Sequence, residues 1–234
     1  EGKLDSGQKT GIVLIIALVL YLIFIICRYW YSDTLYKQGS TYNQPAVNRP
    51  DLATGYLNRA INLEPEQGLY YAELSKSYST LALAYEQAKE STTASQLVDA
   101  AIANSAKAVD LSPANVNFKR NQASVFIMLS TINPNFLVNA AESLLSAVKQ
   151  APTDAKLYYN LGLVYARIGQ NDKAKDTLEK TVSLKPDYQA ARLAYAILLI
   201  DSGQNDKAKE QLEYILTKIS PDDTQAKQYL ESIK

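Results

Sequence analysis

The chain has 234 residues, with 24 basic against 24 acidic side chains, 47% hydrophobic residues, a single cysteine and no histidine. Balanced charge without a basic run argues against nucleic acid as the partner, because phosphate contacts need clustered Lys and Arg. With Cys27 alone and no histidine, an intrachain disulfide, a Cys/His zinc site and histidine acid–base chemistry are all excluded, and most enzyme classes go with them.

In chain order, residues 1–10 form a polar segment that starts with Glu rather than Met, which suits a fragment or a processed chain. Gly11 to Cys27 reads GIVLIIALVLYLIFIIC, without charge or proline. Together with Arg28, Tyr29, Trp30 and Tyr31 it predicts a transmembrane helix over residues 11–31. Such a stretch of about 20 residues, rising about 1.5 Å each, spans a bilayer core of about 30 Å. The aromatic cluster suits the lipid–water interface, where Arg28 can snorkel. A cleaved signal peptide fits less well, since bulky Arg-Tyr-Trp-Tyr stands where small residues would be needed. Lys3 and Lys9 before the span balance Arg28 and Lys37 after it, so charge does not orient it. The Tyr-, Asn-, Gln-, Ser- and Thr-rich sequence downstream points to an extracytoplasmic placement.

Residues 32–65 read as a linker and an irregular first hairpin: a helix at Thr34–Tyr42, a loop at Gln44–Pro50 and a second helix at Asp51–Glu64. Beyond them, residues 66–221 repeat. GQNDKAK occurs at Gly169–Lys175 and again at Gly203–Lys209, 34 residues later. Helix-ending prolines at Pro65, Pro113, Pro152, Pro186 and Pro221 are spaced by 48, 39, 34 and 35 residues. In the unit from Ala155 to Tyr188, Gly162 and Ala174 are small enough for two antiparallel helices to approach closely. Leu161, Tyr165 and Leu178 fill the gaps beside them, Thr181 lies on the same inner stripe, and Gly169 supplies the positive φ that ends the first helix. The 48-residue unit lengthens both helices, with Glu90–Thr93 as its connection; the 39-residue unit turns at Ile132–Asn135. Residues 222–234 predict an amphipathic capping helix with Gln225, Lys227, Gln228 and Glu231 on its polar side.

These residues at this offset resemble the tetratricopeptide repeat. The resemblance implies an all-α chain, in which an N-terminal transmembrane helix precedes an α-solenoid of helical hairpins. In that family the stacked first helices line a concave groove that holds a peptide or protein segment. The groove positions here are Asn117, Arg120, Asn121 and Ser124, then Lys156, Tyr159, Asn160, Leu163 and Arg167, then Leu193, Ile197 and Asp201. Chaperone-binding members clamp a partner's C-terminal carboxylate with Lys, Arg and Asn. Arg120, Asn121 and Asn160 resemble part of that clamp, whereas Tyr159 and Leu193 depart from it. Tyrosine, at 17 residues, dominates the aromatics, and the pairs Tyr70–Tyr71 and Tyr158–Tyr159 suggest one ring inside and one outside.

No nucleophile–base pair, phosphate loop or metal constellation is present in the sequence. The chain therefore reads as a binding module without cofactor or metal, and its oligomeric state is open. A second resemblance concerns layout. An apolar helix, then Arg-Tyr-Trp-Tyr-Ser-Asp, then irregular repeats resembles the tail of bacterial O-antigen ligase or polymerase-like membrane proteins. It implies an accessory domain whose catalytic part lies outside this sequence.

Overall fold

A computed structural model describes residues 5–233, and every element among them is a helix. Lys3 of the polar segment and Lys234 of the expected capping helix lie outside the described residues. The chain forms two compact units, Glu1–Leu111 and Ser112–Lys234.

In the first unit, α1 (Ser6–Tyr42) is a single helix of 37 residues. Asp5 starts it by a reciprocal cap: its carboxylate accepts the Gln8 N–H at 2.9 Å, and the Gln8 side chain accepts the Asp5 N–H at 3.1 Å. No proline follows until Pro45, so nothing stops the helix where the apolar stretch ends. The linker expected from residue 32 is therefore absent, and the apolar segment continues directly into the first repeat helix. One stretch of α1 is long and apolar enough to cross a membrane, and none of it is buried. Burial begins at Ser32 and continues at Leu35 and Gly39.

Helix α2 (Pro50–Leu63) returns antiparallel to α1 and buries Ala53, Leu57 and Ala60 at helical spacing. A Cβ on Gly39 would lie 2.6 Å from Leu57 Cγ and 3.3 Å from the Ala53 carbonyl. The first hairpin, expected to be irregular, thus crosses as closely as a regular one. Its irregularity is confined to the loop, where Asn48 has φ 46°.

Helices α3 (Gly68–Gln87) and α4 (Ser91–Leu111) form the long hairpin. They have 20 and 21 residues, against 13 and 14 for α7 (Ala155–Arg167) and α8 (Asn171–Leu184) of the second unit. Each gains seven residues, close to two turns at about 3.6 residues per turn, so the inner stripe stays in phase. The connection lies at residues 88–90 rather than at Glu90–Thr93. Lys89 there has φ 63°, the conformation that Gly169 and Gly203 adopt at 75° and 73°. The closing hydrogen bonds also match: Glu90 N–H to Tyr85 O at 2.9 Å, and Gln170 N–H to Tyr165 O at 2.9 Å.

The second unit continues with α5 (Val116–Leu129), α6 (Phe136–Gln150), α7 and α8, then α9 (Gln189–Asp201), α10 (Asn205–Tyr214) and α11 (Thr224–Ser232). Gly162 again permits a close crossing, since a Cβ there would lie 2.8 Å from Leu178 Cγ. Ala140, Leu144, Ala147, Leu161, Ala174, Leu178, Thr181, Tyr195, Ala196 and Leu199 are all buried, as the repeat frame predicts. After α10 the helix widens into a π turn, Ile215–Ile219, closed by Ser220 N–H to Ile215 O at 2.8 Å. Pro221 follows Asn205 by 16 residues, whereas Pro186 follows Asn171 by 15. One extra residue in a helix whose two ends are both packed is absorbed as a π bulge. In α11, Ala226 is buried and Gln225, Lys227, Gln228 and Glu231 are exposed.

Candidate partner-binding face

The first helices of the second unit, α5, α7 and α9, carry every groove residue named from the sequence. Two of them begin at side-chain caps: Asn115 accepts the Asn117 N–H at 3.0 Å, and Asp154 accepts those of Lys156 and Leu157 at 2.9 and 3.3 Å. Arg120, on α5, reaches the second of these caps. Its Nη2 donates to Asp154 Oδ2 at 2.6 Å, and its Nη1 to Asn117 Oδ1 at 3.1 Å. A partner carboxylate at Arg120 would have to displace Asp154, which argues further against a carboxylate clamp.

Tyr159 holds the corresponding place on α7, five residues beyond the cap, and Tyr188 replaces Asp154 at the start of α9. Their rings lie 4.9 Å apart. Burial raises the Tyr188 hydroxyl above its usual pKa, with smaller contributions from Tyr159 and Asp154. Leu193, the third residue of this row, packs on the core formed by Leu178, Ala196 and Leu212. Beside it, Gln189 donates to Asp223, the cap of α11. In this row an ion pair at Arg120 joins α5 to the start of α7 and ring contact at Tyr159 joins α7 to the start of α9, while Leu193 packs on the core and neighbouring Gln189 reaches the cap of α11.

The other groove residues present themselves differently. Asn117, Ser124, Lys156, Arg167 and Asp201 are exposed, whereas Asn121, Asn160, Leu163 and Ile197 are half-buried. The Ser124 hydroxyl donates to the Arg120 carbonyl at 3.0 Å within its own helix. Leu163 and Ile197 stand at the same place in successive repeats, 34 residues apart, each four residues beyond Tyr159 and Leu193 respectively. A recess of about 500 Å³ opens between the start of α7 and the α8–α9 turn, lined by Asp154, Lys156, Lys185 and Tyr188.

A pair of further recesses lies on the second-helix side. Leu145, Val148, Tyr158 and Tyr165 line the first, and Val182, Arg192 and Tyr195 line its counterpart one repeat later. Arg192, overlooked in the sequence, replaces Tyr158. It is buried, donates to the Pro186 carbonyl at 2.6 Å, and lies 3.5 Å from the Tyr214 ring centroid. Desolvation lowers its pKa, while Tyr214 opposes that shift. The signal was available, because Arg192 places a charge where the preceding repeat has Tyr158, as Lys119 does one repeat earlier, and both are buried. The tyrosine pairs divide as expected at Tyr70, which is buried, and Tyr71, which is half-buried; Tyr158 and Tyr159 are both half-buried. No group of three or more Cys, Asp or Glu capable of holding a metal occurs among the described residues.

Two sequence models of the tetratricopeptide repeat match the chain, at residues 143–176 and 169–231. No curated protein matches it, and nothing in the comparisons supports the layout of an O-antigen ligase-like tail. Several solved structures share the fold. TTC0263, a thermophilic TPR protein from Thermus thermophilus, superposes with a TM-score of 0.55 at 23% identity, covering 86% of this chain and 98% of that one. MamA from Desulfovibrio magneticus RS-1 gives 0.60 at 19% identity, over 81% and 98% of the two chains. YrrB, a TPR protein with an unusual peptide-binding site, gives 0.59 at 17% identity, over 84% and 90%. At such identities the likeness is one of fold. Tetratricopeptide-repeat models thus match residues 143–231 of an all-helical chain that has one long apolar helix near its N-terminus.

Proposed function

We propose that this chain is a membrane-anchored tetratricopeptide-repeat scaffold that holds a segment of a partner protein against the first-helix face of α5, α7 and α9. The observation that carries this reading is the pair Leu163 and Ile197. Each leaves apolar surface open at the same place in successive repeats, beside exposed Lys156 and Arg167. The internal partners of Arg120 and Tyr159 fix the walls of that face and leave Leu163 and Ile197 as its apolar floor. Asn117, Asn121, Ser124 and Asn160 supply polar groups along its length. Repeat solenoids use such surfaces for extended or helical segments, and YrrB is described as having a peptide-binding site.

Anchoring is supported by the unburied apolar stretch of α1, with Phe24 61% and Trp30 70% exposed. Side chains that apolar are left uncovered at this density only where lipid or another apolar partner covers them. In this reading the repeats lie on the extracytoplasmic side, and protease access in spheroplasts tests that placement. The binding face is tested by in-cell crosslinking and isolation of the chain, comparing wild type with Leu163→Asp and Ile197→Asp. Loss of the crosslinked species, with helicity retained, supports the face; unchanged recovery discards it.

A further inference from the structure

The end of the apolar stretch and the turn between α2 and α3 lie at the same level of the molecule. Over little more than one turn of α1, four side chains reach across to that turn and its flanks. Arg28 Nε donates to Glu64 Oε1 at 2.8 Å, and the Glu64 side chain is only 7% exposed. Gln67 Nε2 donates to the Tyr29 hydroxyl at 3.2 Å, Arg59 Nη2 donates to the Tyr31 hydroxyl at 2.7 Å, and the Ser32 and Tyr70 hydroxyls meet at 3.2 Å. Because α2 runs back along α1 and α3 departs again, Glu64–Gln67 is the part of this hairpin nearest the apolar stretch. The opposite loop, residues 43–49, follows Tyr42, which lies 14 residues beyond Arg28 and hence about 20 Å farther along the helix.

We infer that the α2–α3 turn sits in the lipid headgroup layer, so that the first repeat is docked on the membrane surface instead of swinging from the anchor. The inference rests on the membrane reading of residues 11–31. An uninterrupted helix transmits the depth of the anchor to whatever is fixed on it, and the four contacts fix this turn. The chemistry of the level suits zwitterionic headgroups. Tyr29, Trp30, Tyr31 and Leu69 are exposed there at 47%, 70%, 44% and 45%. Arg28 is neutralised by Glu64, and exposed Arg59 is balanced by exposed Glu66. Aromatic rings and amides are retained at the interface without net charge, so anionic lipid is not required.

The test uses the full chain in phosphatidylcholine vesicles, with Cys27→Ser and one exposed residue, Glu66→Cys or Ala46→Cys, changed to cysteine for a fluorescent label of one negative charge, which restores the charge lost at 66. Trp30 is the only tryptophan, so quenching of its emission by brominated lipid reports insertion of the anchor. Headgroup-spin-labelled lipid is expected to quench the label at 66 several-fold more than the label at 46, with the same ratio after anionic lipid is added. Equal quenching at 66 and 46, with Trp30 still quenched, overturns the docking and leaves the anchor standing. Absence of Trp30 quenching removes both. A ratio that rises steeply with anionic lipid overturns the zwitterionic assignment.

Discussion

Arg120 and Asp154 meet at 2.6 Å across 34 residues, from one repeat to the start of the next, and the same carboxylate caps α7. The two duties separate by mutation. Each side chain is about 30% exposed, so the ion pair contributes about 0.5–1 kcal/mol. Arg120→Ala and Asp154→Asn are expected to cost about that much, because asparagine keeps the cap. Asp154→Ala loses both and is expected to cost about 1–2 kcal/mol more. Urea unfolding of the three variants measures the order, and equal losses for Asn and Ala at 154 would refute the capping role.

Two glycines of the first hairpin predict opposite signs. Gly39→Ala places a methyl 2.6 Å from Leu57 Cγ and against the backbone of α2. It is expected to destabilise the hairpin by about 1–3 kcal/mol. Gly55, inside α2, has nothing within 4 Å of an added Cβ, so Gly55→Ala is expected to stabilise by about 0.5–1 kcal/mol. Thermal unfolding of the pair checks both signs in one experiment.

Lys89 holds a left-handed conformation where the equivalent turns use Gly169 and Gly203. Relief of that strain makes Lys89→Gly stabilising by about 1 kcal/mol, and Gly169→Ala destabilising by about the same amount. Urea unfolding of both variants measures the effect, and a neutral Lys89→Gly would mean that the lysine side chain offsets its own strain.

The Asp223 carboxylate is held below the usual range, first by the Ala226 N–H and then by the Gln189 amide. A depressed folded pKa means that the cap is fully present above the unfolded carboxylate value. Its contribution is lost as pH falls below about 4. Asp223→Asn, which caps without titrating, is expected to flatten that part of the acid dependence. Amide exchange in α11 is the readout, and an unchanged pH profile in the Asn variant would contradict it.

The repeat frame was legible because packing residues recur with a fixed offset: Leu161, Gly162, Tyr165, Ala174 and Leu178 announce their burial by size and spacing alone. Three features were not. The continuity of α1 was hidden because Ser32–Tyr36 reads as polar sequence after an apolar run, although no residue there breaks a helix. The regularity of the first hairpin was masked by its longer loop, which shifts Ala53 two residues out of the frame set by Gly39. The turn at Lys89 carries no glycine to mark it. For the proposed face, the sequence suggests positions on the first helices but not the contacts that those residues make within the chain. That Arg120 belongs to Asp154 and Tyr159 to Tyr188 depends on how successive repeats are stacked.

The most direct test of the scaffold reading is site-specific photocrosslinking in the intact cell. A photoreactive residue is placed in turn at Leu163 and Ile197 on the first helices, and at exposed Lys149 and Glu213 on second-helix segments. The account predicts one shared crosslinked species at 163 and 197, absent at 149 and 213. Crosslinks at 149 or 213 with none at 163 and 197 would contradict it.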